Sequence, residues 1–217
     1  MMRAVIFDMD GTLLDSMAMW YGLAPSFCKK HNISWSQQLA DDLLGMEFPE
    51  AADYFIGRFP QLNMTPQGLI AAWNGMIHFS YLNEVLPKPF AIDYMKQLSR
   101  RNIPCAIATM TTHALADAVL AHHGITPLVQ IVLTPEDVGG IGKDRPDIYL
   151  EAARRLGTPA NQCVVFEDTL YAMRTASKAG FTVWAVDEPL QQSRREIETT
   201  CHRYISSFKE LLDDLSE

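Results

Sequence analysis

The chain has 217 residues, 48% of them hydrophobic, which is enough to bury one substantial core and leaves room for a smaller accessory domain. Its formal net charge of −8 argues against nucleic acid or an anionic membrane as a partner, because both are bound mainly through Lys and Arg. The first apolar run is far too short for a signal peptide or a membrane span. Four scattered cysteines without Cys-x-x-Cys spacing predict free thiols in a reducing compartment, with neither a disulfide framework nor a zinc site. We therefore expect a cytoplasmic protein that is a monomer or a weak homodimer.

A short buried strand is predicted at Ala4–Phe7, and it ends in two carboxylates, Asp8 and Asp10. Side chains two residues apart on a strand point to the same side, so both carboxylates are expected just beyond its carboxyl end, where parallel α/β sheets bind ligands. Such a pair can bind a hard cation, attack an electrophile or transfer a proton. An acidic turn that only faces solvent is the alternative, but Gly11 and the third acid, Asp15, fit the first arrangement better.

Helical spacing of apolar residues continues from about residue 16 to residue 86, without a convincing strand. The predicted helices lie around Trp20–Phe27, Leu39–Leu44, Tyr54–Phe59 and from Pro66 onward. Pro25 is expected to kink or break the first of them. The Trp and Met residues of this region could line a pocket, but at helical spacing they more often belong to a core. We predict that residues 16–86 form a helical domain inserted directly after the first strand.

From residue 87 onward, apolar runs of strand length alternate with helical patterns. The predicted strands are Ile103–Thr109, Val129–Leu133, Cys163–Phe166 and Thr182–Val186. The polar run from Leu190 to His202 resembles a linker, and a capping-box pattern at Ser207 with apolar positions up to Leu215 predicts the last helix. The predicted fold class is α/β, with a Rossmann-like, mostly parallel sheet covered by helices on both faces and formed by residues 1–15 and 87–217.

Polar residues recur after the later strands. Thr109 lies at a strand end beside a helix start, where a hydroxyl and free backbone N–H groups can bind an anion or simply cap the helix. Lys143 follows a glycine-rich turn and could reach a phosphate, although a solvated lysine is the default interpretation. Glu167 and Asp168 end another strand, and only one of them can point fully at a common centre because neighbouring side chains alternate faces. Asp168 could also cap the helix that follows.

In this order, the four motifs resemble those of the haloacid dehalogenase-like phosphotransferases. Residues 8–13, Asp-Met-Asp-Gly-Thr-Leu, are similar to the first motif, and the longer form through Ser16 resembles the branch of β-phosphoglucomutase and many small sugar-phosphate phosphatases. Thr109 matches the second motif, and residues 142–147 match the third, except that Asp144 replaces a proline. Glu167 and Asp168 match the acidic fourth motif. The resemblance covers residues 1–15 and 87 to about 187, while the helical insert matches the family's cap domain only in position and helical character.

This resemblance implies a Mg²⁺-dependent phosphatase of a small phosphate monoester, such as a sugar or polyol phosphate. In such an enzyme Asp8 attacks phosphorus to form an aspartyl phosphate, and Asp10 protonates the leaving oxygen and later activates water. Thr109 and Lys143 would bind the transferring phosphoryl group. The implied Mg²⁺ ligands are Asp8, Asp168 as the stronger and Glu167 as the supporting fourth-motif ligand, and the backbone carbonyl of Asp10.

Several other functions are weighed at this point, among them dehalogenation, which does not need the acid–base chemistry of Asp10, and phosphonate hydrolysis, which needs a reactive lysine in the helical insert. A β-phosphoglucomutase-type mutase needs a cationic clamp for a second phosphate, but the basic residues between 16 and 86 are only Lys29, Lys30 and Arg58, so we favour a phosphatase. A catalytically inactive binding protein of the same fold ranks lower, because none of the four motifs is missing. A two-component receiver domain also combines acids, a Thr and a Lys, but it would lack the helical insert and carry its phosphorylated Asp on a later strand.

Overall fold

The computed structural model describes residues 2–191 and 193–214 and divides into two compact units. The helical unit is Ala18–Glu84, and the α/β unit joins the chain up to Met17 to the chain from Val85 onward. The strands are β1 Ala4–Phe7, β2 Cys105–Ala108, β3 Ile131–Leu133, β4 Cys163–Glu167, β5 Thr182–Val186 and β6 Arg203–Ile205. The α-helices are α1 Met17–Lys30, α2 Gln37–Leu43, α3 Phe48–Arg58, α4 Pro66–Asn83, α5 Ala91–Arg100, α6 His113–His122, α7 Asp147–Arg155, α8 Leu170–Lys178, α9 Arg194–Thr200 and α10 Lys209–Asp214. Within the described ranges, none of these helices has the length and apolar character that a membrane crossing requires.

The six strands of the α/β unit form one parallel sheet in the order β3-β2-β1-β4-β5-β6. β1 lies inside the sheet, where Ile6 pairs with Ala106 of β2 on one side and with Val165 of β4 on the other. The chain winds outward through β2 to β3 and then returns to wind the other way through β4, β5 and β6. This reversal between β1 and β4 marks the point at which open α/β sheets bind ligands, at the carboxyl ends of the strands. The predicted α/β fold with a Rossmann-like parallel sheet is confirmed.

Helices cover both faces of this sheet. On one face Phe7 and Phe166, on the adjacent strands β1 and β4, stack with ring centroids 4.8 Å apart and pack against Tyr94 of α5. On the other face Ile6 and Val165 belong to a core cluster with apolar residues of α7 and α8. Neighbouring side chains of a strand point to opposite faces, so strands covered on both sides must be apolar throughout. This explains why β1, β2 and β4 read as uninterrupted apolar runs.

The helical unit, Ala18–Glu84, is described in full and contains no strand, as the sequence predicted. The first helix, α1, runs through Pro25 without a break. Trp73 is buried and meets the rings of Phe27 and Phe55 edge to face, with centroids 6.1 and 5.5 Å away. Such edge-to-face aromatic contacts are typical of a packed interior. Trp73 is therefore a core residue of this unit.

The segment after β5 departs from the sequence prediction. The polar run from Leu190 to His202, interpreted as a linker, contains α9, and β6 follows it to extend the sheet beside β5. Only Ile197 is buried in α9, all of whose residues are described, so the sequence lacks the apolar stripe that marks a longer helix. At α10 the hydroxyl oxygen of Ser207, the predicted cap, accepts the backbone N–H of Lys209 at 3.2 Å, while the side chain of Glu210 accepts the backbone N–H of Ser206 at 3.0 Å. Leu215 lies outside the described residues.

Candidate active site

The acidic and hydroxyl residues singled out in the sequence lie at the carboxyl ends of adjacent strands. Asp8 follows β1 and donates its backbone N–H to the carbonyl oxygen of Phe166 in β4, at 2.9 Å. Thr109 follows β2, and its backbone N–H donates to β3 at 3.0 Å. Glu167 is the last residue of β4 and Asp168 follows it. All four side chains are buried. The ladder hydrogen bonds of the sheet thus fix the register in which these groups meet.

The turn after β1 depends on Gly11. Its φ of +81° lies in the left-handed region, which glycine adopts at no steric cost. A Cβ atom at this position would lie only 2.8 Å from Cγ of Asp168. The backbone of the first motif therefore passes directly against the carboxylate of the fourth motif, and glycine meets both requirements at once.

Lys143 connects two of these carboxylates. Its ammonium donates a hydrogen bond to Oδ1 of Asp8 and another, 2.6 Å long, to Oε1 of Glu167. The side chain exposes only 3% of its surface, and its Nζ lies 5.8 Å from the ring centroid of Tyr149. Charge-assisted hydrogen bonds in a buried setting are among the strongest that side chains form. The lysine of the third motif is thus an ordered part of the site and not a solvated surface residue.

Glu167 already has hydrogen-bond partners on both oxygens. Oε1 accepts the phenol proton of Tyr149 at 2.7 Å in addition to the Lys143 bond. Oε2 accepts the backbone N–H groups of Asp168 and Thr169, both at 3.2 Å, and the Thr169 hydroxyl at 3.0 Å. In the observed geometry this carboxylate therefore holds Lys143 on one oxygen and the start of the following turn on the other.

Asp8 and Asp168 differ from Glu167 in this respect. Oδ2 of Asp8 and both carboxylate oxygens of Asp168 are buried without a hydrogen-bond partner among the described residues. Oxygen atoms of Asp8, Glu167 and Asp168 lie within 4.8 Å of one another. Unpaired buried carboxylate oxygens are costly, and oxygen-only donor sets suit hard divalent cations. The residues present therefore fit a divalent metal ion held between Asp8 and Asp168.

The pKa shifts of these residues are consistent with a divalent metal ion bound between Asp8 and Asp168. Desolvation raises the pKa of Asp8 to about 7, although the Lys143 ammonium opposes the shift. Desolvation also raises the pKa of Asp168 well above its usual range, and the charges of Asp8 and Glu167 add to it. For Lys143 desolvation alone would lower the pKa, but the attraction of Asp8 and Glu167 outweighs it and holds the pKa above its ordinary value. One buried ammonium faces three carboxyl groups, so additional positive charge would stabilise their ionised forms.

Asp10 is not part of the group of three clustered carboxylates, and its side chain has a different set of partners. Its side chain is half-buried, with Oδ1 accepting the hydroxyl of Ser16 at 2.7 Å and Oδ2 accepting the hydroxyl of Thr111 at 2.8 Å. Thr111 also donates its backbone N–H to Oγ1 of Thr109 at 3.1 Å. The expected metal contact of Asp10 involves its backbone carbonyl and stays a prediction. Its carboxylate is instead held by hydroxyl groups, an environment suited to proton transfer.

The third motif reaches the site through Lys143 alone among its charged residues. Asp144, which replaces the family's proline, is exposed, and the turn around it is closed by a 3.2 Å hydrogen bond from the Arg145 N–H to the Gly142 carbonyl oxygen. Arg145 is exposed and pairs with Asp147, with Nε 3.2 Å from Oδ2. The turn therefore stays closed although Asp144 replaces the proline, and Lys143 is buried in the site.

Four polar residues of the site received no role from the sequence. They are Ser16 and Thr111 on Asp10, Tyr149 on Glu167, and Gln191, whose Nε2 donates to the backbone carbonyl of Asp168 at 3.4 Å. Ser16, Thr111 and Tyr149 lie within or beside recognised motifs, so their hydroxyl groups were an available signal. Gln191 lies in the run interpreted as a linker, and nothing in the sequence marks it.

Comparison with known proteins agrees with this geometry. The family model for haloacid dehalogenase-like hydrolases matches residues 2–180. A fructose-1-phosphate phosphatase of Escherichia coli (strain K12) is 30% identical over 176 residues, which cover 81% of this chain and 92% of the relative. Hexitol phosphatase A of the same strain is 27% identical over 203 residues, covering 92% of this chain and 90% of the relative.

Solved structures share the fold over nearly the whole chain. A protein of Thermotoga maritima, provisionally described as a beta-phosphoglucomutase, superposes with a TM-score of 0.82 at 21% identity and 99% coverage of both chains. A hydrolase of the same family from Deinococcus radiodurans R1, solved with bound phosphate and sodium, has a TM-score of 0.74 at 24% identity, covering 99% of this chain and 95% of its own. At these identities the structures establish the fold alone. The family model spans most of the sequence, and the chain therefore belongs to the haloacid dehalogenase-like hydrolases.

Proposed function

We propose that this hydrolase cleaves small phosphate monoesters through a covalent phosphoryl intermediate on Asp8. The observation that carries the proposal is the environment of Asp8: one oxygen is bound by Lys143, and the other lies buried and unpaired in a cluster with Asp168. A carboxylate held in this way keeps a fixed orientation and has an oxygen available for bonding.

The reaction divides into two displacements. In the first, an Asp8 oxygen bonds to phosphorus as the ester P–O bond breaks, and Asp10 gives its proton to the departing oxygen. In the second, Asp10 takes a proton from water as the water oxygen bonds to phosphorus, which releases inorganic phosphate and restores the Asp8 carboxylate. The hydroxyl groups of Ser16 and Thr111 on Asp10 support its assignment to both proton transfers.

Two residues are proposed to bind the phosphoryl oxygens. Lys143 would place its ammonium beside the transferring group while Glu167 and Tyr149 keep the side chain in place. Thr109 would donate its hydroxyl, which accepts the N–H of Thr111 and so has a defined orientation. Phosphoryl transfer depends mainly on positioning and on charge stabilisation of this kind.

We further propose Mg²⁺ as the cofactor, held by Asp8 and Asp168, with Glu167 and the backbone carbonyl of Asp10 as supporting ligands. The two unpaired oxygens of Asp168, and the cluster that they form with carboxylate oxygens of Asp8 and Glu167, support this assignment. Bound Mg²⁺ would supply positive charge that reduces the repulsion between the Asp8 carboxylate and a phosphate dianion.

A sugar or polyol phosphate is the proposed substrate class. The named activities of the two Escherichia coli relatives, on fructose 1-phosphate and on hexitol phosphates, support it. The helical unit supports a phosphatase over a mutase, because its Lys and Arg residues are few and exposed. Lys29 and Lys30 end α1, and the guanidinium of Arg58 lies 5.6 Å from the ring centroid of Phe59. A second phosphate would need a stronger cationic site than these residues offer.

The decisive experiment is release of inorganic phosphate from fructose 1-phosphate, hexitol phosphates and p-nitrophenyl phosphate, with Mg²⁺ and with a chelator. We expect Mg²⁺-dependent release from at least one ester and none from an Asp8→Asn control. A parallel assay supplies β-glucose 1-phosphate with a trace of the bisphosphate. Accumulation of glucose 6-phosphate would overturn the phosphatase in favour of a mutase. Binding of these esters without any turnover would indicate an inactive binding protein.

We also propose a cytoplasmic, monomeric or weakly dimeric protein with no nucleic-acid or membrane partner. All four cysteines, Cys28, Cys105, Cys163 and Cys201, are free thiols. Burial raises the pKa of Cys105 to about 12 and that of Cys163 to about 11, so these thiols are poorly ionised at neutral pH. Free, unreactive thiols are typical of a reducing compartment. Sedimentation of the purified chain tests the oligomeric state.

A further inference from the structure

Asp10, the acid and base of the proposed mechanism, is bound by a hydroxyl group on each carboxylate oxygen. The Ser16 hydroxyl donates to Oδ1 at 2.7 Å and the Thr111 hydroxyl donates to Oδ2 at 2.8 Å. Ser16 is fully buried and Thr111 is 5% exposed, so water competes little for either group. The terminal torsion of an aspartate is broad, and bonds to both oxygens restrict it where a single bond would leave rotation possible.

Hydroxyl groups suit a residue that changes its protonation state. Each carboxyl oxygen has two lone-pair positions, so a transferable proton can occupy one while a hydroxyl stays bound at the other. A hydroxyl can also accept a hydrogen bond, so the contact can persist in either protonation state of Asp10. A cationic partner in the same place would favour the ionised form alone.

Thr111 also contacts the phosphate-binding side of the site. Its backbone N–H donates to Oγ1 of Thr109 at 3.1 Å, which leaves the proton of that hydroxyl to be donated elsewhere. Asp10 follows β1, whereas Thr109 follows β2. Thr111 therefore joins the proton-transfer group of one strand end to the phosphate-binding group of the next.

We propose that Thr111 is a positioning residue for general acid catalysis. Its hydroxyl keeps Asp10 in the orientation from which the Asp10 proton passes to the leaving oxygen as the Asp8–phosphorus bond forms and the ester P–O bond breaks. The inference rests on the proposed function and goes beyond it by assigning a role to a residue other than Asp8 and Asp10. A positioned general acid contributes about 10²- to 10⁴-fold to a rate, and loss of orientation removes part of that factor.

The test compares kcat/KM for p-nitrophenyl phosphate and for phenyl phosphate. The two esters differ by one nitro group, but nitrophenolate leaves without protonation, whereas phenolate is a poorer leaving group that benefits from an acid. kcat/KM includes only the steps up to departure of the leaving group, so the later attack of water does not enter it. Thr111→Val keeps the side-chain shape and the backbone N–H but removes the hydroxyl, and Thr111→Ser keeps the hydroxyl. The matched control is Thr112→Val, because Thr112 is exposed and its side chain makes no capping bond to α6.

We expect Thr111→Val to lower kcat/KM for phenyl phosphate by about tenfold or more and for p-nitrophenyl phosphate by less than about twofold. Thr111→Ser and Thr112→Val should resemble the wild type on both esters. Equal losses on the two esters, a greater loss on p-nitrophenyl phosphate, or no loss on either would overturn the inference while leaving the phosphatase intact. Thr111→Ala provides the same comparison if circular dichroism shows that the valine variant does not fold. A wild-type chain inactive on both esters would overturn the proposed function, and this inference with it.

Discussion

Lys143 and Glu167 are joined by a 2.6 Å hydrogen bond in a site where each exposes no more than 3% of its side chain. The same ammonium also donates a hydrogen bond to Asp8, so one lysine links the two carboxylates. Removing one partner from a buried ion pair leaves an uncompensated charge and is strongly destabilising. This relationship separates the two acids of the fourth motif: Glu167 is engaged by Lys143 and Tyr149, whereas both oxygens of Asp168 are unpaired.

The first prediction concerns metal affinity. Asp168→Asn should weaken Mg²⁺ binding by at least about tenfold and more than Glu167→Gln does, because the unpaired oxygens belong to Asp168. Isothermal titration calorimetry with Mg²⁺ measures both variants, and Asp144→Asn serves as the exposed carboxylate control. The reverse order of the two losses would contradict the assignment.

The second prediction separates the two acids of the first motif. Asp8→Asn should lower turnover by at least about a thousandfold and form no phosphoenzyme, because a neutral amide is not a nucleophile. Asp10→Asn should slow breakdown of the intermediate, so a phosphoenzyme that forms should persist. Acid-quenched labelling with a ³²P-ester distinguishes these outcomes. Asp15→Asn, exposed in the same motif, should label and turn over normally. Near-normal turnover by Asp8→Asn would exclude covalent catalysis at this residue.

The third prediction concerns pH and the metal-free protein. The pKa of Asp8 is raised to about 7, so between about pH 4 and about pH 7 the folded chain holds a proton that the unfolded chain has released. Because the native state binds more protons in this window, the contribution of Asp8 to the free energy of unfolding falls as pH rises. Asp8→Asn cannot titrate, so its stability relative to the wild type should increase with pH across the window. Urea unfolding at several pH values measures the difference, which Mg²⁺ should diminish. A difference that stays constant with pH would rule out this shift.

The fourth prediction uses two glycines with left-handed backbones. Gly157→Ala should lose about 1–2 kcal/mol of stability and Gly11→Ala at least as much, because both glycines have positive φ values, +64° and +81°. At Gly11 the new Cβ would meet Asp168, whereas at Gly157 it would have no heavy atom within 4 Å other than those of the neighbouring residues in the chain. Gly11→Ala should therefore also lose Mg²⁺ affinity and turnover, measured by calorimetry and phosphate release. If the two variants retain equal activity, the close approach to Asp168 is not required for function.

The strand ends that hold the site could be predicted because each is an apolar run interrupted by a polar residue. Phe7 before Asp8 and Ala108 before Thr109 are fully buried in strands that have both faces covered, and the polar residue follows where each strand ends. The parallel sheet follows from the alternation of strands and helices. By contrast, α9 buries a single residue and β6 spans three residues, so neither produces a periodic pattern. Their places depend on packing against β5 and α8.

The sequence by itself determined the fold class, the order of the four motifs and the kinds of side chain available for chemistry, because apolar periodicity and residue type are local properties of a chain. Only the tertiary structure decided which partner each side chain meets. The pairing of Lys143 with Glu167, and of Thr111 with Asp10, brings together residues 24 and 101 positions apart. Hydrogen bonds span about 3 Å, and adjacency at that scale is set by strand register and turn geometry that no local pattern encodes. For the same reason, the division of labour between Glu167 and Asp168 became visible only when their oxygen atoms and those of their neighbours had positions.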